Sequence, residues 1–160
     1  ADNDERTIFF CKGALETVKK LGWSPDVVHC HGWMTSLVPA YIKTTYKNDP
    51  TFKNSKVVYS VYENCFGEKL NADFHKKAIM ANMTADDTKA FAEGDCNSLH
   101  IGAITHSDAV VFADEKVDDA VLKFVKDSNK PTLAFNLTEN YDNFYSFYEE
   151  VTSDELVSIA

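Results

Sequence analysis

The segment PDVVHCHGWMTSLVPAYIK, Pro25 to Lys43, constrains the fold more than any other stretch of the chain. Val27 and Val28 are apolar and β-branched, which suits a parallel strand covered on both faces. Beyond Gly32, the residues Met34, Leu37, Val38 and Tyr41 recur at helical spacing, so a strand passes directly into a helix. His29 and His31 lie two apart, and on an extended strand they point the same way. Open α/β sheets place their ligand sites at the carboxyl ends of such strands. There this chain puts two imidazoles and Trp33.

The rest of the sequence alternates in the manner a parallel sheet requires. A helix is expected from Asp4 to Leu21, with acids early and Lys19 and Lys20 late, ending near Gly22. The strand Val27 to Cys30 follows, then a helix from Met34 to about Lys47, closed by Asn48, Asp49 and Pro50. Lys56 to Tyr62 is the second strand, and Glu63 to Asp73 a polar loop. Thr84 is an N-cap opening a helix, and Cys96 to His106 forms another. Asp108 to Ala113 is the third strand, Glu115 to Lys126 a helix, Pro131 to Phe135 a short fourth strand, and Tyr141 to Val151 the last helix. On that helix Tyr141, Phe144, Tyr145 and Tyr148 share one face, expected to pack on the sheet. Of the tryptophans, Trp23 is assigned to the core and Trp33 to the neighbourhood of a ligand. The fold class is α/β: a Rossmann-like parallel sheet with helices on both faces. Residues 1–160 form a single domain, and residues 152–160 a frayed tail.

Composition excludes several partners. A formal charge of −9 over 160 residues is wrong for a phosphate-backbone binder, which relies on clustered Lys and Arg. Neither nucleic acid nor membrane is an expected partner. No apolar run approaches the length of a spanning helix and the amino terminus is charged, so neither a spanning helix nor a signal peptide is expected. Cys11, Cys30, Cys65 and Cys96 form no CxxC and read as scattered singles suited to a reducing compartment, hence a cytoplasmic location. No metal is expected, because His29-x-His31 supplies two ligands where zinc takes three or four. Cys30 points to the opposite face of the strand, and His75, His100 and His106 are scattered among helices. Sugar or phosphate recognition, with neutral imidazoles as donors to hydroxyls, is the stronger reading of the pair.

These residues also resemble a known family, the N-terminal catalytic domain of bacterial glycogen and plant starch synthases. Its PDVVHxHDWHT segment is similar to PDVVHCHGWMT here, and its TIHNxxxQG segment to SVYENCFGE, Ser60 to Glu68. Its DNxxRF helix and LGW resemble Asp2 to Trp23, and its "AD, VS, E" strand and helix resemble GAITHSDAVVFADEKVDDAV. The resemblance implies part of the N-terminal half of a GT-B glycosyltransferase. It further implies transfer of glucose from a nucleotide sugar, ADP-glucose, to an α-1,4-glucan or glycogen acceptor, with retention of configuration and no cofactor. His31 falls on the histidine that contacts the transferred sugar. His29, Trp33, Tyr62 and Asn64 are the accompanying substrate-binding candidates.

The departures set further expectations. Gly32 stands where the motif has Asp, and Met34 where it has His. The His-Asn pair falls on Tyr62 and Glu63, or on Tyr62 and Asn64 if the register slips by one. Phenol for imidazole removes a group that titrates near neutrality. The family's Lys-Thr-Gly-Gly-Leu phosphate loop and its second nucleotide-binding domain have no counterpart, so the chain alone is expected to be inactive and to be a fragment. A nucleotide sugar would be held only with a second domain. The alternative reading is a catalytically silent relative that binds glucan or regulates a partner in glycogen metabolism. The oligomeric state is left open.

Overall fold

The structure, a computed structural model, describes residues 2–138 and 140–153. Four parallel strands, β1 (Val27–His31), β2 (Lys56–Val61), β3 (Ala109–Phe112) and β4 (Thr132–Leu133), form one sheet in that order. Parallel neighbours need long crossovers rather than tight turns. Helix α2 (Leu37–Lys43) joins β1 to β2. Helices α3 (Phe74–Lys77), α4 (Ala85–Thr88) and α5 (Cys96–Thr105) lie between β2 and β3, and α6 (Asp119–Ser128) between β3 and β4. Helix α1 (Asn3–Lys20) precedes the sheet and α7 (Tyr141–Ser153) follows it.

Strand alternation sends side chains to two cores. Cys30, Val57, Tyr59, Val61 and Val110 join the larger one with residues of α1, α2, α5 and α6. Val58, Ala109, Val111 and Leu133 meet Phe147 and Val151 of α7 on the other face. Each fully buried aliphatic contributes about 1.5–3 kcal/mol relative to exposure. Helices therefore cover both faces, as the apolar strands require. His29 and His31, being odd-numbered like Val27, fall on the α7 side of β1.

Helix α1 carries Asp4 and Glu5 in its first turn and Lys19 and Lys20 in its last, which complements the helix dipole. Lys77 of α3 ties it down through Asp4 at 3.2 Å and Glu5 at 3.4 Å. Where Lys43 ends α2, its ammonium meets Asp108 at 2.6 Å, and the same carboxylate accepts the Val57 N–H. One acid thus clamps the starts of β2 and β3 to α2.

Several expectations are corrected. The helix expected from Met34 begins instead as a 3₁₀ turn, Trp33–Thr35, because the Gly32 carbonyl accepts both the Thr35 N–H and its hydroxyl. It ends at Lys43, where the Thr44 hydroxyl takes the Ala40 carbonyl. The fourth strand has two residues rather than five. Trp23 is solvent-exposed and not core. On α7 the buried residues are Phe147 and Val151, with Phe144 and Tyr148 packed beside them, while Tyr141 and Tyr145 face solvent. The real apolar stripe is rotated from the expected one. Cys65 and Cys96 are not singles: they form a disulfide, with Cα atoms 5.8 Å apart, because the loop after β2 returns to the start of α5. Cys11 and Cys30 are free and buried. Of the expected tail, Thr152 and Ser153 close α7, and 154–160 lie outside the described residues.

Candidate functional site

The carboxyl ends of β1 and β2 meet in parallel register, His29 beside Val58 and His31 beside Ser60. The chain then leaves β1 through Gly32, whose N–H donates to the Ser60 carbonyl at 3.1 Å. Gly32 adopts φ 70° and ψ 177°, backbone that only glycine enters readily. Its Cβ would meet only the Tyr62 ring, at an ordinary 3.6 Å. Backbone conformation therefore accounts for glycine at this position, where the acid of the resembled motif would be strained.

His31, Gly32, Trp33, Met34, Tyr62 and Asn64 line one open cleft of about 250 Å³. Four of the five residues singled out from the sequence are thus brought together: His31, Trp33, Tyr62 and Asn64. The fifth, His29, lies beneath them, its ring stacked on that of His31 at 4.1 Å between centroids. Both nitrogens of His29 are used. Nδ1 bonds the Tyr148 hydroxyl at 2.6 Å and Nε2 the Ser60 hydroxyl at 2.7 Å. A ring so satisfied has no valence left for a ligand and acts as a platform.

His31 is different. Its Nδ1 meets the Tyr62 hydroxyl at 3.0 Å, and the residue is solvent-exposed. When the phenol donates to Nδ1, Nε2 carries the proton and can act as a donor. Desolvation holds the Tyr62 phenol above its ordinary range, and Asp114 adds to the effect, so the phenol stays protonated. Desolvation lowers His31, and it lowers His29 to about 3 with a further contribution from His31. Both imidazoles are neutral at neutral pH.

The walls follow from local packing. Trp33 meets Phe66 edge-on at 4.7 Å between centroids. The Met34 backbone and side chain are held by α1: the Thr7 hydroxyl reaches its sulfur at 3.2 Å, and the Cys11 thiol its carbonyl at 3.3 Å. Asp114, just past β3, accepts the Glu63 N–H at 2.6 Å and fixes the loop that carries Asn64. The backbone of Glu63 thus has a defined role in placing the loop.

The sequence reading missed Ser60 and Tyr148, the partners of His29. Ser60 sits beside His31 in the strand register, but Tyr148 arrives from the far end of the chain. It also missed that His100 stands beside Cys96 and Cys65. The spacing of Cys96 and His100, four apart on a helix, was the available signal.

The family described as starch synthase catalytic domain matches residues 1–127. Glycogen synthase of Clostridium perfringens is 32% identical over 119 residues, covering 71% of this chain and 24% of that protein. Glycogen synthase of Chlorobaculum tepidum is 35% identical over 130 residues, covering 77% of this chain and 26% of that protein. Across these relatives the chain spans about a quarter of their length. The catalytic domain of starch synthase IV from Arabidopsis thaliana, solved with ADP and acarbose, superposes with a TM-score of 0.62 at 16% identity. The match covers 84% of this chain and 29% of that one. It bears out the expected α/β fold as part of a GT-B architecture.

Proposed function

The chain belongs to the starch synthase catalytic-domain family, and from that premise we propose that it is part of a glucosyltransferase. The complete enzyme moves glucose from a nucleotide sugar, ADP-glucose, to the end of an α-1,4-glucan such as glycogen. The observation that carries this reading is the convergence of His31, Trp33, Tyr62 and Asn64 on one cleft where β1 and β2 end. Nothing in the comparisons supports the alternative of a catalytically silent regulator.

In this reading His31 Nε2–H donates to a hydroxyl of the transferred sugar, and Tyr62 sets the tautomer that makes it a donor. His29 holds the His31 ring from below and touches no substrate. Trp33 offers an apolar wall to the C–H face of a sugar ring, and the Asn64 amide bonds its hydroxyls. Donors fixed in advance stabilise the developing oxocarbenium-like sugar without reorganising at the moment of transfer. The nucleotide diphosphate is held by a second domain of the complete protein, which works in the cytoplasm. Among the described residues no helix is long and apolar enough to cross a membrane.

The test is incorporation of labelled glucose from ADP-glucose into glycogen. The complete protein containing this chain transfers glucose, and residues 1–160 alone do not. No incorporation by the complete protein with any nucleotide sugar would overturn the reading.

A further inference from the structure

Beside the His31 cleft lies a larger open one of about 530 Å³, whose lining includes Cys65, Cys96, His100 and Asp95. The sulfurs of Cys65 and Cys96 and a ring nitrogen of His100 lie within 4.8 Å of one another. Cys96 and His100 share a face of α5, four residues apart. Cys65 comes from the loop after β2 and is exposed.

His100 is 2% exposed. Its Nδ1 meets the Tyr59 hydroxyl at 2.8 Å, whereas its Nε2 is buried with no hydrogen-bond partner among the described residues. Buried polar atoms are nearly always partnered. Once an ion takes the Nε2 lone pair, Nδ1–H donates to the Tyr59 hydroxyl, the partnered arrangement of metal-ligating histidines. Asp95 is already engaged, accepting the Ser98 N–H at 2.9 Å as the cap of α5. The three remaining donors are two sulfurs and one imidazole.

We propose that Cys65, Cys96 and His100 form a redox-gated binding site for a thiophilic divalent cation of the zinc type. In the oxidised state the two sulfurs bond to each other and no ion is held. A dithiol reductant gives two electrons and two protons to the disulfide, yielding two thiols and its own cyclic disulfide. The cation then displaces both thiol protons and is held by two thiolates and His100 Nε2, with a fourth position open to the cleft. Two thiolates and an imidazole favour zinc-like ions over calcium or magnesium. Zinc–sulfur bonds of about 2.3 Å in a tetrahedron set the sulfurs roughly 3.7 Å apart, a separation that the exposed Cys65 loop reaches by a small shift. Either linkage fastens Cys65, and with it the adjacent Asn64, to α5. The site lies outside the sugar-binding reading and stands without it.

The chain, reduced with a dithiol and desalted without oxygen, is titrated with Co²⁺ and then Zn²⁺, following thiolate-to-cobalt absorption and ion stoichiometry. The expected result is one ion per chain, at least tenfold weaker binding by His100→Gln, and no binding by the oxidised chain. Cys65→Ser changes an exposed residue, so it keeps the fold by circular dichroism and loses at least tenfold in affinity. The proposal is overturned if the reduced chain takes up no ion, if oxidised and reduced chains bind alike, or if the folded Cys65→Ser chain binds as tightly as the unaltered one.

Discussion

The rings of His29 and His31 stack at 4.1 Å with an interplanar angle of 30°, yet only His31 is free to meet a ligand. His29 spends one nitrogen on Tyr148 and the other on Ser60. The two histidines of one short motif therefore have different work. The inner one is a support, and the outer one lines the cleft.

The support should be visible in the pH dependence of stability. His29 is lowered from its ordinary 6.5 to about 3, first by desolvation and then by His31. Between those values the unfolded chain takes up a proton that the folded chain refuses. Stability is thus fully present above 6.5 and is lost as the pH falls through that window. One such proton corresponds to a slope of at most about 1.4 kcal/mol per pH unit, less the screening by solvent reaching the half-buried ring. Urea unfolding between pH 4.5 and 6.5 should give a shallower slope for His29→Gln, by up to about one proton. Equal slopes would contradict the assignment.

Gly32 is required by its backbone. Replacing it with Asp, the residue of the resembled motif, forces φ 70° and ψ 177° on a side chain that disfavours them. Since the added Cβ meets Tyr62 at an ordinary 3.6 Å, the cost is torsional. Gly32→Asp should lower unfolding stability by about 1–3 kcal/mol, read as a lower urea midpoint. An unchanged midpoint would show that the turn adjusts freely.

Lys130 closes the carboxyl end of α5. Its ammonium donates to the carbonyls of Ile104 at 2.6 Å, Thr105 at 3.1 Å and Ser107. A cation here also meets the negative end of the helix dipole. Desolvation pushes its pKa down, against the pull of Asp108. Lys130→Met keeps the apolar stem and removes the donor, so thermal and urea unfolding should report a loss of about 1.5–3 kcal/mol. A variant as stable as the unaltered chain would mean that water replaces the ammonium without penalty.

The sheet was legible in the sequence because its strands are short apolar runs bounded by polar turns, as in KVVYSV and AVVF. Helix α1 was legible from its periodicity and its charge gradient. The cleft was legible in part, because His31, Trp33, Tyr62 and Asn64 come from two segments joined by strand register. What escaped depends on long-range docking. Tyr148 reaches His29 across 119 residues, and which stripe of α7 is buried depends on the strand face it meets. Four aromatics on one helix did not announce that Phe147 and Val151 would be the buried pair. The disulfide escaped for a similar reason: Cys65 and Cys96 are 31 residues apart, and the fold alone makes them neighbours.

His31 carries the account. The decisive measurement is kcat for glucose transfer from ADP-glucose to glycogen by the complete protein bearing His31→Ala, with its melting temperature recorded alongside. Because His31 is exposed and stacks on a support that keeps its own partners, the melting temperature should stay within a few degrees. The account predicts that kcat falls at least about a hundredfold, the scale of losing a donor placed for the transition state. Normal turnover by a folded His31→Ala enzyme would contradict it.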